Sequence, residues 1–91
     1  MLTLVVYDIA DNRRRYKLSK LLEGYGRRVQ ESVFECFLDL EEMKRLYQKV
    51  AFRIKPEEDN VRFYWISARA MTQTLTLGSP KPEPPPSAYI F

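Results

Sequence analysis

Residues 2–7 read Leu-Thr-Leu-Val-Val-Tyr, an almost unbroken apolar and β-branched run that stops at the carboxylate of Asp8. A run with no polar face cannot lie against water on either side. It predicts a strand buried on both faces, and therefore central in its sheet. The remaining chain has to cover that strand, and 91 residues allow one domain to do so. With 45% of residues hydrophobic, a packed globular domain is expected. A domain this small hides only about 60–65% of its unfolded surface, so burial of a further face against a partner would contribute more than in a larger protein. Chemistry belongs on a surface or at a subunit interface, not in a large internal cavity.

After a short connection, in which Asp11 or Asn12 can cap a helix, Leu18, Leu21, Leu22 and Tyr25 fall on one helical stripe. Gly24 and Gly26 offer its stop. Residues 28–38 have strand composition, but Gln30-Glu31-Ser32 interrupts the alternation. That pattern fits one bent strand or two short strands with a very tight junction. Asp39 with Glu42 has the spacing of a capping box, and Met43, Leu46, Tyr47, Val50 and Ile54 mark a second amphipathic helix, ended by Pro56. The polar run 57–60 reads as a turn and Val61–Ile66 as an aromatic strand. Thr72–Leu77 reads as a thinner strand ended by Gly78.

The order β-α-β-β-α-β, with a further strand at the C-terminus, predicts an α+β fold. Two helices on one face of an antiparallel sheet, a ferredoxin-like sandwich, is the economical arrangement. Residues 1–78 would form this domain, and residues 79–91 a proline-rich arm. Five of the six prolines lie between Pro80 and Pro86, so the arm is extended. Seven such residues reach roughly 20 Å. The alternating, apolar Tyr89-Ile90-Phe91 at its end is expected to cross a two-fold axis and pair with the sheet of a second subunit.

The chain has one cysteine, Cys36, and no histidine. These counts exclude a disulfide framework, thiolate zinc sites, Ser-His-Asp and Cys-His catalysis, and the usual general base near neutral pH. Cys36 itself reads as a small core residue. The N-terminus lacks the basic start and long apolar region of a signal peptide, and no stretch approaches the ~20 apolar residues of a membrane span. A cytoplasmic protein without membrane contact is expected.

The formal charge of +3 is uneven: residues 1–30 carry a net +4, residues 31–60 −3, and residues 61–91 +2. Arg13, Arg14, Arg15, Lys17, Lys20, Arg27 and Arg28 supply most of the first field. Such a cluster attracts phosphate backbones or an acidic protein, or simply forms a solvated face. The arginines at 13–15 also sit where a helix macrodipole disfavours cations, so something other than helix stability keeps them there.

Asp8 is the foremost candidate for chemistry. A carboxylate at the end of a buried strand, beside the start of a helix, suits a hard cation such as Mg²⁺, although it can also merely end the strand or cap a turn. Without histidine, a hydrolase here needs a metal to generate its nucleophile. One carboxylate is a weak site; a two-fold dimer that brings two Asp8 side chains to one axis supplies the second. The neighbouring arginines would then hold phosphates. Ser32 lacks a base partner, and Phe63, Tyr64 and Trp65 occur without the RNP1 pattern of base-stacking strands, so they read as core.

The segments Leu4-Val5-Val6-Tyr7-Asp8-Ile9, Asp11-Asn12-Arg13-Arg14-Arg15 and Gly26-Arg27-Arg28-Val29-Gln30-Glu31-Ser32-Val33-Phe34-Glu35-Cys36, with Gly78-Ser79-Pro80 and Tyr89-Ile90-Phe91, resemble the small CRISPR-associated endoribonuclease family. That family is the lesser partner of the adaptation-stage CRISPR integrase. The resemblance spans nearly the whole chain. It implies a ferredoxin-like homodimer with Asp8 as catalytic and Mg²⁺-binding residue at the interface. It further implies that Tyr7, Arg13 or Arg14, Arg15, Arg28 and Phe34 contribute to activity on nucleic acid. Members are described as cutting single-stranded RNA or double-stranded DNA, and others as non-catalytic dimers that hold double-stranded DNA between integrase dimers. Outside the family, a toxin-like ribonuclease of the same architecture is a further alternative. Phosphate contacts do not choose RNA over DNA.

Overall fold

The central position expected of the first strand is what organises the sheet. A computed structural model describes residues 1–83. Within it β1 (Leu2–Asp8) is flanked on both edges, by β3 (Val33–Phe37) and β4 (Asn60–Ile66), and β2 (Arg27–Gln30) adds outside β3. All three pairings are antiparallel, giving the order β2-β3-β1-β4. Helices α1 (Asn12–Glu23) and α2 (Leu40–Ala51) connect the strands, and a short α3 (Ala68–Thr72) follows β4. This is the ferredoxin-like α+β sandwich. No helix among the described residues is long and apolar enough to cross a membrane.

Pairing places Val5 opposite Phe34 on one side and Phe63 on the other. Val5, Tyr7, Phe34 and Cys36 therefore share one face, and Leu18, Leu22, Leu46 and Val50 of the two helices close over it in a single core. Burial pushes the Cys36 thiol up to about 12, with Glu35 adding to it, so the cysteine is an inert core residue. The alternate positions of β1, Leu4 and Val6, lie on the opposite face with Val33, Phe37 and Ile66. Those five are only partly buried. One face of the sheet is thus covered by α1 and α2; on the other, Leu2 is buried and these five stay partly exposed.

Both caps form as the spacing requires. Asp11 accepts from the Arg14 amide, and Asp39 and Glu42 make a complete capping box. The interruption at Gln30–Ser32 resolves as two strands: β2 and β3 meet through a tight turn at Glu31 and Ser32, with a register shift between Arg28 and Gln30.

Three expectations are corrected. Of the three aromatics of β4 read as core, only Phe63 packs on it; Tyr64 and Trp65 are exposed, because Tyr64 lies on the face away from α1 and α2 and Trp65 pairs near the strand end. Residues 72–77 form no strand; Ser67 caps α3 by accepting from the Ala70 amide, and helix-favouring Ala68, Ala70 and Met71 follow. The second helix ends at its cap residue Phe52, before Pro56, and Ile54 packs on the core from the following turn. The stop expected at Gly24 is where α1 ends: Gly24 is its cap residue, in the right-handed region at φ −77°. Residues 84–91, and with them most of the arm and the strand exchange expected of Tyr89–Phe91, lie outside the described residues.

Gly26 has a different role. A Cβ there would overlap the Glu35 carbonyl oxygen and the sulfur and Cα of Cys36. Because the obstruction is largely backbone, β2 would have to move away from β3. Gly26→Ala is expected to destabilise the chain by about 2–3 kcal/mol, read as a lower urea midpoint at unchanged slope.

Candidate active site

Asp8 is the last residue of β1 and pairs with Asn60 of β4. It shares its side of the sheet with Leu4 and Val6, so its carboxylate belongs to the face opposite α1 and α2, and it is exposed. Among the described residues it takes part in none of the ion pairs. An unpaired carboxylate at the rim of a half-apolar face is free to take a ligand. Among the described residues, no group of three or more His, Cys, Asp or Glu gathers to hold a metal ion. One chain therefore supplies one carboxylate. Magnesium is commonly held by one or two carboxylates and keeps several waters, so the donor chemistry of Asp8 suits that ion but makes up only part of a ligand set.

The other sequence-derived residues do not converge on Asp8. Tyr7, adjacent in sequence, faces the helix side and is buried. Its hydroxyl donates to the Glu31 carbonyl at 3.3 Å, and its ring stacks on Phe34 with centroids 6.4 Å apart. The Arg28 guanidinium lies 5.2 Å from the centre of the Phe34 ring and donates to the same Glu31 carbonyl at 3.1 Å. These three form one cluster that braces the β2–β3 turn. Burial pushes the Tyr7 phenol up, against the pull of Arg28 and Arg15, so near neutral pH it is a hydrogen-bond donor and not a base.

The three consecutive arginines have three different surroundings. Arg13 is exposed and has no hydrogen-bond or ion-pair partner for its side chain among the described residues. Arg14 turns inward, its Nε donating to Asp59 Oδ2 at 2.9 Å and its Nη2 to Glu58 Oε1 at 3.0 Å. Its side chain is only 19% exposed. Arg15 donates to the Ile9 carbonyl at 2.8 Å and to Asn12 Oδ1. Arg14 and Arg15 thus hold the β1–α1 connection, which accounts for cations at a helix start. Arg13 and Arg28 are exposed, Arg28 while also held against Phe34 and Glu31.

Asp59 escaped sequence reasoning, because it stands in a polar run that reads as a turn. Its side chain is fully buried. The Arg14 bond holds its carboxyl down at about 2, helped by the backbone amides of Lys55 and Ala10 and opposed by burial. The signal that could have found it is the arginine-rich first turn of α1: a buried guanidinium requires a carboxylate.

The comparisons with known proteins agree with this architecture. The family model described as CRISPR associated protein Cas2 matches residues 1–74. A Synechocystis protein named CRISPR-associated endoribonuclease Cas2 3 is 44% identical over 89 residues, covering 98% of this chain and 97% of the relative. A Chloroflexus aurantiacus protein named CRISPR-associated endoribonuclease Cas2 1 is 47% identical over 93 residues, with both chains covered completely. The crystal structure of Streptococcus pyogenes Cas2 superposes with a TM-score of 0.74 at 32% identity, over 86% of this chain and all of that one. A chain of a partial Cas6-RT-Cas1–Cas2 complex gives 0.75 at 33% identity, over 99% of this chain and 98% of that one. With the family model spanning the whole sheet and both core helices, the chain belongs to the CRISPR-associated Cas2 family.

Proposed function

We propose that the chain is a CRISPR-associated endonuclease that hydrolyses phosphodiester bonds of RNA or DNA during spacer acquisition, acting as a homodimer with Mg²⁺ and alongside the CRISPR integrase. The observation that carries this reading is Asp8: exposed, without an ion-pair partner among the described residues, and on the face of the sheet opposite α1 and α2. Relatives named endoribonucleases support the reaction class, and the likeness to a chain of a Cas1–Cas2 complex supports the integrase partner.

Two copies packed through the faces opposite α1 and α2 would bury Leu4, Val6, Val33 and Phe37 and bring both Asp8 rims toward the two-fold axis. A bound Mg²⁺ would supply a polarised water for attack on phosphorus. Asp8 would hold the ion, while Arg13 and Arg28 would fix the phosphate backbone. Sedimentation of the full chain tests the dimer: a dimer is expected, with Val6→Glu shifting it to monomer. A monomeric wild-type chain would remove the shared site.

The competing reading is a non-catalytic adaptor that binds double-stranded DNA, favoured by the resemblance to a subunit of an integrase complex. Incubation with RNA and DNA, with Mg²⁺ or chelator, separates the two. Family membership favours either over a toxin-like ribonuclease. In both cases the arginines should act unequally. Arg13→Ala and Arg28→Ala are each expected to lower the log–log salt slope of duplex binding by about 0.9, equally for unrelated sequences. Arg14→Ala should instead lose stability, because its guanidinium is committed to Asp59.

A further inference from the structure

The peptide unit that joins Ile9 to Ala10, immediately after Asp8, is held at both of its polar atoms by side chains. Its carbonyl oxygen accepts from Arg15 Nη2 at 2.8 Å, and its N–H donates to Asp59 Oδ1 at 2.9 Å. Asp59 is held in turn by Arg14 through Nε at 2.9 Å and Nη2 at 3.3 Å, and it accepts from the Lys55 amide at 2.9 Å. The same carboxylate therefore joins the β1–α1 connection, the first turn of α1 and the loop before β4. The next residue, Asn60, is the cross-strand partner of Asp8. Asp8 is thus bracketed, by β4 pairing on one side and by the pinned peptide on the other.

Besides what it contributes to stability, a carboxylate bound to three separate segments fixes their places relative to one another. We infer that Asp59 and Arg14 are positioning residues for the active-site carboxylate: together they fix the Ile9–Ala10 peptide, and through it the place of Asp8 at the rim of the sheet. This rests on the nuclease reading only for its catalytic consequence. The effect on Asp8 itself is a property of the chain.

The test uses full-length Asp59→Asn and Arg14→Lys, at a temperature where circular dichroism shows both folded. Asparagine cannot accept from Ala10, Lys55 and Arg14 together, and lysine keeps the charge of Arg14 without its two-pronged geometry. Hydrogen exchange at the Ala10 amide should accelerate by about tenfold or more, and the side-chain carboxyl ¹³C signal of Asp8 should shift or broaden. The amides of Val5 and Val6 should be unchanged. In an active chain kcat should fall about tenfold with KM within about twofold, since misplacement by an ångström is costly to a reacting group and not to substrate binding.

An Asp8 signal identical to wild type in both folded variants would overturn the inference, whether or not the chain cleaves. So would a disturbance spread through Val5 and Val6, which marks general loosening, or a shifted Asp8 with unchanged kcat. A wild-type chain with no more activity than Asp8→Asn would instead refute the nuclease reading, and the spectroscopic arm would still decide the positioning role.

Discussion

In Asp8→Asn, metal-dependent cleavage is expected to fall by roughly 10³-fold or more while the fold remains unchanged. Asp8 is exposed at the end of its strand and is in none of the ion pairs among the described residues, so neutralising it removes no contact that holds the domain together. What it removes is the negative charge that would hold a divalent cation. Loss of several kcal/mol of charge stabilisation corresponds to about three orders of magnitude in rate. The measurement is single-turnover cleavage of labelled RNA and DNA beside thermal melting. Equal melting temperatures with lost cleavage assign the chemistry to Asp8. Cleavage that survives in the variant would place the active group elsewhere, and retained spacer integration without cleavage would favour the adaptor.

Asp59→Ala should have the largest effect on stability, about 3–5 kcal/mol. It leaves Arg14 without its buried partner and the amides of Ala10 and Lys55 without their acceptor. The effect should depend on pH in a defined sense. The Asp59 carboxyl is held near 2 in the folded chain, below the ordinary range of aspartate in an unfolded one, near 3.9. A depressed folded value means the unfolded state binds the proton first as the solution is acidified. The contribution of Asp59 is therefore fully present above about pH 4–5 and is lost as pH falls toward 2. Urea denaturation of wild type and Asp59→Ala at pH 7 and pH 2.5 checks this: the gap between them should narrow at the lower pH. A gap independent of pH would mean that Asp59 acts through its shape and not its charge.

The two arginine-adjacent results have a common origin. Arg13, Arg14 and Arg15 are indistinguishable in the chain as a run of cations. Successive helical positions differ by about 100° around the axis, so consecutive residues face solvent, the β4 side and the preceding loop. A phosphate-binding role assigned to the whole run is therefore divided by the fold. Arg14 belongs to Asp59, Arg15 to the Ile9 carbonyl, and Arg13 to solvent. Likewise Tyr7 and Asp8 are neighbours in sequence and opposite in space, because strand side chains alternate.

The central strand, both helices, the capping box at Asp39, the existence of strand β4 and the core role of Cys36 were all legible in the sequence; the choice of Asp11 over Asn12 as the α1 cap, and the exposure of Tyr64 and Trp65, were not. Each rests on local information: hydrophobic period, a capping spacing, a missing polar face. The same holds for the exposed carboxylate at the end of β1, since a charge that ends a buried run must emerge from the sheet. Only the tertiary structure decided that residues 28–38 are two strands, that Gly26 is needed for contact with Cys36, and that Asp59 is buried. The pairing of Arg14 with Asp59 spans 45 residues, and no local pattern encodes it. Such a contact exists only after the sheet has brought the start of α1 and the loop before β4 together, because it depends on where two ends meet and not on what either contains.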